Sequence, residues 1–300
     1  MVSPMERPRL SIVVVNLDRR ERLRYCLSSI PRAVSMYPYE LFVVDNGSRD
    51  GSAAMVQEDF ADAILIENRT NLGFSRATNQ ALRQANGDYF LCLNNDTWLY
   101  PESLNRLVSF MEVHPEVGIV GGKILNPDGS IQSSARSFPT LVNALFNRTS
   151  LLTRFFPENR FSRRYLLSDW DHAEVREVDW VSGSFLAIRR HTCNQIGLLD
   201  EEFFLFCEDV DWCLRARRAG WKAVYLPEAV VIHYMEKRSN AYQATLAHHR
   251  SMFRFYRKHL RRSPFLDPLV GFGIGLRAAA VVGSLLLSST KQNGEVSHPL

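Results

Sequence analysis

The 300-residue sequence predicts an α/β fold in which a mainly parallel sheet is flanked by helices and followed by a C-terminal helical extension. Short apolar runs such as LSIVVV, residues 10–15, are typical of strands buried on both faces of a sheet. Segments of helical length separate these runs, which is the pattern of β-α-β units. Residues such as Asn86 and Gly87 have the chemistry of a helix C-cap.

The predicted strands are, in chain order, residues 10–15, 41–44, 63–66, 89–93, 117–120, 223–226 and 230–232, and a further regular segment is predicted at 178–188. The predicted helices are residues 20–30, a helix from Gly51 capped by Asp50, residues 75–85, a helix from Pro101 to about His114, and residues 209–219 before a Gly220 cap. Ligands of parallel sheets bind beyond the carboxyl ends of the strands. The first candidates for ligand binding are therefore the polar residues at such ends, namely Asn16, Asp45 and the triplet Asn94-Asn95-Asp96.

The composition is that of an ordinary globular protein. Hydrophobic residues make up 46% and charged residues 23% of the chain, as in ordinary globular proteins, and the net charge of +4 does not indicate nucleic-acid binding. The N-terminal MVSPMERPRL contains no apolar run that would act as a signal peptide. Five cysteines without a CxxC pair are expected to be reduced thiols rather than a disulfide framework or a zinc site. These features predict a cytoplasmic protein.

The segment FLCLNNDTWLYP, residues 90–101, gives the strongest local signal of a binding site. A buried strand there ends in Asp96, which follows two asparagines. A divalent cation that bridges a diphosphate takes few ligands from protein, because phosphate oxygens and water complete its shell. Asp96 is therefore a predicted metal ligand. The alternative is that Asp96 only caps the turn before Pro101.

Two further segments offer groups for a nucleotide. In ELFVVDNGSRDGS, residues 40–52, Asp45 is a fixed acceptor for the imide N–H of uracil or thymine. The alternative is an ordinary strand–helix loop with an Asn46-Gly47 turn. Backbone N–H groups of residues 71–75, at a helix start, are candidates to face phosphate, or else form an ordinary cap.

The segment FFLFCEDVDWCLRARRAGW, residues 203–221, places Glu208, Asp209 and Asp211 at the start of a helix. Acidic residues are common there because the helix dipole favours them. Asp209 and Asp211 face nearly opposite sides of the helix, so only one of them can point into a cleft. We expect Asp209 to be that residue.

The C-terminal residues have the composition of a segment that associates with a membrane. Residues 249–262 hold six basic residues among aromatic ones and no acid, and residues 269–287 are almost wholly apolar apart from Arg277. This order is typical of a helix on an anionic membrane surface, and Arg277 disfavours crossing. The alternative is a packed helical pair with a solvated basic face. The arginine- and phenylalanine-rich residues 148–167 are expected to belong to the same surface.

Several other functions are disfavoured. A sugar nucleotidyltransferase usually carries a glycine-rich loop near its N-terminus, and SIVVVNLDRRER has none. A dinucleotide oxidoreductase needs G-x-G-x-x-G after the first strand, and no P-loop is present. A non-catalytic membrane scaffold would leave Asp45, Asp96 and Asp209 without a purpose.

The segments LSIVVVN, VVDNGSRDGS, NLGFSRATNQAL, LCLNNDT, VDWVSGSFLAIRR and FCEDVDWCLRARRAGW, followed by His233, resemble the family-two inverting glycosyltransferases of the GT-A fold. The chain is most similar to bacterial rhamnosyltransferase-like members that build surface polysaccharides. The resemblance covers residues 8–240 in order, which makes it more specific than any single motif. It implies dTDP-L-rhamnose as donor, with UDP-hexoses next, and a glycan or lipid-linked acceptor.

The resemblance also implies a role for each matching residue. Asp45 would hold the nucleobase, Asp96 would hold Mn²⁺ or Mg²⁺, and Asp209 would be the catalytic base of a single in-line displacement. Asn94 replaces the first acid of the D-x-D-like triplet, which makes a further ligand such as His233 more useful. The alternative for His233 is a packed histidine, and the alternative for Trp180 is core packing.

The complete set of candidates is catalytic Asp209; donor-binding Asn16, Asp45, Asn71, Gly73, Asn79, Asn94 and Asn95; metal-binding Asp96 and His233; and acceptor-binding Trp180, Gly183 and Glu208. The predicted domains are residues 8–240, with a nucleotide-sugar half at 8–125 and an acceptor half at 126–240, and a helical tail at 241–300.

Overall fold

The computed structural model describes residues 7–140, 163, 165, 167, 169–235 and 241–294. Most of the predicted basic and aromatic segment at 148–167 lies outside these residues. The chain divides into two compact units. The first comprises Met1–Glu202 with Glu208–Met235, and the second comprises Phe203–Cys207 with Glu236–Leu300.

The strands are β1 (Leu10–Asn16), β2 (Tyr39–Asp45), β3 (Ile64–Glu67), β4 (Tyr89–Asn94), β5 (Thr97–Leu99), β6 (Val117–Leu125), β7 (Ile131–Gln132), β8 (Ala135–Arg136), β9 (Arg176–Val178), β10 (Trp180–Val181), β11 (Phe185–Arg189) and β12 (Lys222–His233). The helices are α1 (Arg20–Ala33), α2 (Ser52–Asp59), α3 (Phe74–Leu82), α4 (Ser103–Val113), α5 (Arg190–Ile196), α6 (Glu208–Arg218), α7 (Ala241–Phe255) and α8 (Asp267–Gly294). A π-helical turn, Tyr256–Leu260, and a 3₁₀ turn, Pro264–Leu266, connect α7 to α8.

The main sheet has the strand order β3-β2-β1-β4-β11-β6-β12-β5, with β7 beside β6 and β9 beside β12. Its β3-β2-β1-β4 half is parallel, as the alternating segments predict. Strand β11 enters between β4 and β6 in the antiparallel direction, so the whole sheet is mixed. The predicted α/β sheet flanked by helices and followed by a C-terminal helix is confirmed.

The core explains why the first segments form these elements. Side chains of β1 and β4 that point to one face, among them Ile12 and Leu91, pack with an apolar stripe of α1 that includes Leu23 and Leu27. Helix α4 adds a second stripe to the same cluster, and α3 contacts β1 and β2. Buried apolar side chains on both faces account for the continuous apolar runs of the sequence.

Three boundaries differ from the predictions. The two strands predicted at 223–226 and 230–232 form one continuous strand, β12, which changes register with β6 between Leu226 and Val230. The regular segment predicted at 178–188 is divided among β9, β10 and β11. Pro101 lies outside α4, because Glu102 precedes the helix in a left-handed conformation with φ of 64°.

The second unit consists mainly of α7 and α8, which contact each other. Residues Pro264–Leu285 form one helical segment of 22 residues with a mean hydropathy of 1.6, long and apolar enough by composition to cross a membrane. No disulfide joins the five cysteines, all of which lie in the described residues, and four of them are buried.

Candidate active site

The parallel register brings the polar strand ends to one edge of the sheet. Asn16 is opposite Asp45 in the β1–β2 pair, and Val15 is opposite Asn94 in the β1–β4 pair. Asn16 is fully buried and Asp45 is 4% exposed. Polar side chains at these depths require hydrogen-bond partners, so their neighbours define the site.

Asn16 connects the two motifs on either side of it. Its Oδ1 accepts a hydrogen bond of 2.6 Å from Asn95 Nδ2. Its Nδ2 donates to Asp45 Oδ2 at 3.4 Å and to Ser48 Oγ at 3.2 Å. The single amide of Asn16 therefore joins the loop after β4 to the loop after β2.

Asp45 shapes the turn that follows it. Its Oδ1 accepts backbone N–H hydrogen bonds from Gly47 at 3.2 Å and Ser48 at 2.8 Å. Gly47 has a φ of +93°, and a Cβ there would lie 3.0 Å from the backbone of Thr70, so this turn requires glycine. The carboxylate is thereby fixed in position at the strand end.

Asn46 organises the neighbouring loop, a role that sequence reasoning missed. Its Oδ1 accepts from the N–H of Leu72 at 3.0 Å, and its Nδ2 donates to Asn71 Oδ1 at 2.9 Å. Asn71 Oδ1 also accepts from the N–H of Gly73 at 2.9 Å. These internal bonds use two of the N–H groups that were candidates for phosphate, which favours the ordinary-loop alternative at that point. The sequence signal for this role was the presence of several asparagines, among them Asn46 and Asn71, in adjacent loops.

Asn79 does not join the strand-end residues. This side chain is 1% exposed, and its Nδ2 donates to Leu199 O at 2.9 Å and Glu201 Oε1 at 3.1 Å. Its Oδ1 accepts from the N–H of Leu199 at 3.1 Å. Both ends of the amide are thus committed to the loop before α6. These hydrogen bonds favour loop support, rather than the predicted donor binding, as the role of Asn79.

Asp96 and His233 face each other where β4 and β12 end and β5 begins. His233 Nε2 lies 3.0 Å from Asp96 Oδ1, and this oxygen is buried without a hydrogen-bond donor among the described residues. His233 Nδ1 donates to Gln132 Oε1 at 3.1 Å, which leaves the lone pair on Nε2. Asn94 Nδ2 is 3.2 Å from that nitrogen.

This donor set fits a divalent cation. Adjacent ligands of an octahedral ion with bonds of about 2.1 Å lie about 3 Å apart, as Asp96 Oδ1 and His233 Nε2 do. Gln132 supplies the outer hydrogen bond that orients a histidine ligand. No group of three or more His, Cys, Asp or Glu suited to a metal occurs within the described residues. A cation held here would take its remaining ligands from substrate and water.

Asp209 lies in the first turn of α6 and meets the loop before β11. Its Oδ2 accepts from the N–H of Gly183 at 2.9 Å, and its Oδ1 accepts from the N–H of Val210 at 2.8 Å. Burial raises the pKa of Asp209, and these two N–H groups offset part of that rise. The carboxyl thus has a pKa shifted toward that of a useful general base.

Asp211 contrasts with Asp209, as the helical spacing predicts. Asp211 is fully buried, and its Oδ2 accepts from Arg215 Nε at 2.8 Å. Arg215 also donates to backbone carbonyls of the turn after α5, including Leu198 O at 2.8 Å. Asp211 therefore supports the fold, and Asp209 is the acid of this helix that faces the Gly183 loop.

The three predicted acceptor residues occupy different environments. A Cβ on Gly183 would lie 3.4 Å from Asp209 Cβ, so glycine permits the close approach of these segments. Trp180 is 8% exposed and donates from Nε1 to Ser137 O at 2.9 Å, which favours its core-packing alternative. Glu208 is 6% exposed at the start of α6.

Backbone contacts connect the acid of α6 to the metal-binding candidates. The N–H of Asn94 donates to Ser184 O at 3.0 Å, and Ser184 follows Gly183, which contacts Asp209. Asn94 in turn contacts His233 through its side chain. One continuous path of contacts therefore joins the strand-end asparagines, the Asp96–His233 pair and Asp209.

Comparison with known proteins identifies the family. A family model described as glycosyl transferase family 2 matches residues 11–170, more than half of the chain. The chain belongs to glycosyl transferase family 2. The family resemblance drawn from the motifs is confirmed, and the protein is a glycosyltransferase.

Named relatives of this family 2 glycosyltransferase include one that matches nearly end to end. An N-acetylglucosaminyl-diphospho-decaprenol L-rhamnosyltransferase of Mycobacterium tuberculosis is 30% identical over 299 residues, covering 94% of this chain and 96% of the relative. The low-salt glycan biosynthesis hexosyltransferase Agl10 of Haloferax volcanii is 28% identical over 70% of this chain and 62% of its own length.

Solved structures confirm the GT-A fold of this family 2 enzyme. The mannosyltransferase PcManGT of Pyrobaculum calidifontis, in complex with GDP-Man and Mn²⁺, has a TM-score of 0.57 at 18% identity, covering 99% of this chain and 85% of its own. GalNAc-T7, with UDP, GalNAc and Mn²⁺, has a TM-score of 0.62 at 16% identity, covering 85% of this chain and 48% of its own.

Proposed function

We propose that this enzyme transfers L-rhamnose from dTDP-L-rhamnose to a hydroxyl of a lipid-linked saccharide, with inversion, in the synthesis of a cell-surface polysaccharide. The observation that carries this proposal is the path of contacts from Asp209 through Gly183, Ser184 and Asn94 to the Asp96–His233 pair. That path supports a site in which a carboxyl of raised pKa would act beside a candidate cation-binding pair.

The relatives support the choice of substrates. The M. tuberculosis relative is named for L-rhamnosyl transfer and for a saccharide diphosphate on decaprenol, and it spans almost the same length as this chain. The rhamnosyltransferase WbbL of Escherichia coli is 27% identical over 58% of this chain. A UDP-hexose is the second candidate donor, as the family resemblance implies, and the Haloferax relative is named a hexosyltransferase.

In the proposed reaction Asp209 accepts the proton of the acceptor hydroxyl as its oxygen bonds to the anomeric carbon. The bond between that carbon and the diphosphate oxygen breaks in the same step, and the nucleoside diphosphate leaves. Asp96 and His233 would hold Mn²⁺ or Mg²⁺, which supplies charge neutralisation for the leaving diphosphate. Gly183 keeps Asp209 in position through its N–H group.

The remaining residues would divide between donor and acceptor. Asn16, Asp45, Asn94 and Asn95 would form the floor under the nucleotide, within a donor half of residues 8–125 that also includes the loop of Asn71 and Gly73. Residues 126–240 would form the acceptor half, with Glu208 beside Asp209. Residues 241–300 would be a tail that keeps the enzyme on the cytoplasmic face of a membrane, where a lipid-linked acceptor resides.

Release of nucleoside diphosphate by the purified protein tests the reaction. The protein is incubated with dTDP-L-rhamnose or UDP-glucose, with Mn²⁺ or EDTA, and with a membrane-lipid extract as acceptor source. We expect cation-dependent release of dTDP from dTDP-L-rhamnose by the wild type and not by Asp209→Asn. Release from UDP-glucose alone would select the second donor.

A thermal-shift measurement covers the case of a missing acceptor. With Mn²⁺ present, dTDP-L-rhamnose should raise the melting temperature of the wild type and of Asp209→Asn, because the base does not hold the donor. An absence of both nucleotide release and thermal stabilisation with every donor would contradict the proposed donor class.

A further inference from the structure

Helix α8 and the turn before it carry an exposed apolar stripe. Phe265, Leu269, Phe272 and Leu276 recur at intervals of four, three and four residues, which places them on one side of a helix. Their exposed fractions are 89%, 68%, 71% and 62%. Four large apolar side chains in one line at this exposure are characteristic of an interaction surface rather than of a solvated helix. We call these four residues the α8 stripe.

The other side of α8 is already occupied. A Cβ on Gly271 would lie 3.4 Å from the ring of Phe253 in α7, and Ala278 is 7% exposed. The α8 stripe therefore faces away from α7. Helix α7 packs on the opposite side of α8 and does not cover the α8 stripe.

The charge around the α8 stripe has one sign. Residues 241–294 contain eight basic residues and a single acid, Asp267. Exposed basic side chains among them are Arg250, Arg257, Lys258, Arg261 and Arg262. Arg261 and Arg257 reach Asp267, in the first turn of α8, at 3.0 and 3.8 Å. We call these five residues the basic group, and two of them, Arg257 and Arg261, lie at the end of α8 where the α8 stripe begins.

A helix that crossed the bilayer would need apolar surroundings on every side. Helix α7, which packs on α8, carries Arg250 and Arg254. Carrying such residues into hydrocarbon costs about 2.5–3.5 kcal/mol each at mid-membrane. The α7–α8 pair therefore suits the interface, where an apolar face enters the acyl boundary and basic residues remain among headgroups.

We infer that the α8 stripe and its basic group dock the enzyme on an anionic lipid surface, with α8 lying in the membrane plane. The stripe supplies apolar burial, and the basic group supplies attraction to lipid phosphates. The inference rests on the proposed function only in giving a membrane-bound acceptor as the reason for docking.

Vesicle co-sedimentation without donor or acceptor tests the inference apart from sugar transfer. The full chain is mixed with vesicles of phosphatidylglycerol and phosphatidylcholine, or of phosphatidylcholine alone. We expect binding to the anionic vesicles that weakens as salt is raised. The triple variant Leu269→Ser/Phe272→Ser/Leu276→Ser should bind at least about tenfold more weakly. Arg250→Gln/Arg262→Gln should lose about fivefold per residue removed.

A matched control places the same change on exposed apolar residues elsewhere. Val113 and Met36 are 72% and 68% exposed, so Val113→Ser/Met36→Ser replaces similarly exposed apolar side chains in the first unit. This variant should bind vesicles like the wild type. Melting temperature and elution volume verify folding of each variant, and Leu269→Ser alone replaces the triple variant if that variant unfolds.

Three results would overturn the inference. Equal binding of the wild type and the triple variant would show that the α8 stripe is not the anchor. Resistance of vesicle-bound protein to alkaline carbonate would show that α8 crosses the bilayer. A wild-type dimer that becomes a monomer in the triple variant, without vesicle binding by either, would identify a second copy of the chain as the partner.

Discussion

The two sides of the candidate active site hold their side chains by different chemistry. At the ends of β1, β2 and β4, the amides of Asn16, Asn46 and Asn95 bond to one another's loops. At the start of α6, the carboxylate of Asp209 accepts hydrogen bonds from the backbone N–H groups of Gly183 and Val210. One side is a network of side-chain amides, and the other is a single titrating group.

This difference assigns the structure of the loops to the amide side and proton transfer to Asp209. Side-chain amides do not titrate, so the loops that they join keep their hydrogen bonds at any pH at which the protein is folded. The carboxyl of Asp209 has a raised pKa because it is buried, which suits a group that must accept a proton. Substitutions on the amide side should therefore change donor affinity and stability, and substitution of Asp209 should change the rate.

The largest effect is expected from Asp209→Asn. The amide cannot accept the acceptor proton, so kcat should fall by about 10²–10⁴-fold. The dissociation constant for dTDP-L-rhamnose with Mn²⁺, measured by calorimetry, should change little. If Asp209→Asn lost donor binding as well as kcat, donor binding and proton transfer would not be divided between the two sides.

Asp211→Asn is the matched control, two residues along the same helix. Asp211 accepts a hydrogen bond from Arg215, and the variant weakens that buried pair. We expect the free energy of unfolding to fall by about 1–3 kcal/mol with kcat nearly unchanged. A loss of kcat equal to that of Asp209→Asn would show that α6 responds as a unit.

The second effect concerns the cation. Asp96→Asn should raise the Mn²⁺ concentration for half-maximal activity by more than about 100-fold, and Gln132→Leu, which removes the hydrogen bond orienting His233, by about 10–100-fold. Asn95→Ala is the control, since Asn95 bonds Asn16 instead of His233. If Asn95→Ala changed the Mn²⁺ requirement as much as Gln132→Leu, the Asp96–His233 pair would not be the site.

Sequence reasoning predicted the parallel half of the sheet because fully buried strands leave an unbroken apolar run. It also placed Asn16, Asp45 and Asp96 together, because residues that end parallel strands share one edge. It did not predict that β11 would enter the sheet antiparallel, since periodicity carries no information on strand direction. It left the roles of Trp180 open, because burial depends on contacts that the local sequence does not contain.

The residues whose contacts the sequence did not indicate are polar groups with partners far away along the chain. Asn79 bonds a loop 120 residues away along the chain, and Gln132 bonds His233 across 101 residues. Local sequence gives the residue type at such positions but not the residue that faces it. Asn46 was within a recognised turn, and only the structure shows that its amide reaches the loop of Leu72.

The third effect compares two buried asparagines. Asn46→Ala removes the acceptor for the N–H of Leu72, and Asn79→Ala removes the acceptor for the N–H of Leu199. Each should lower the free energy of unfolding by about 1–3 kcal/mol, measured by denaturant titration. Only Asn46→Ala should also raise the KM for the donor. A donor effect from Asn79→Ala would return that residue to the donor site.

The smallest effect is a pH dependence of stability. Because burial raises the pKa of Asp209, the folded protein keeps this proton to a higher pH than the unfolded chain does. Between the two pKa values the folded state binds more protons, so raising the pH from about 4, the value of an ordinary aspartate, destabilises the wild type through this group.

Asp209→Asn lacks that titration, which makes it the reference for the measurement. The difference in melting temperature, wild type minus variant, should fall by a few degrees as the pH rises from about 4 toward neutrality, since about 1 kcal/mol corresponds to about 2–4 °C in domains of this size. Scanning calorimetry at several pH values measures the difference. A difference that is constant with pH would mean that the Gly183 and Val210 N–H groups balance burial, and one that rises with pH would mean that they outweigh it. In either case Asp209 would lack the raised pKa assigned to it.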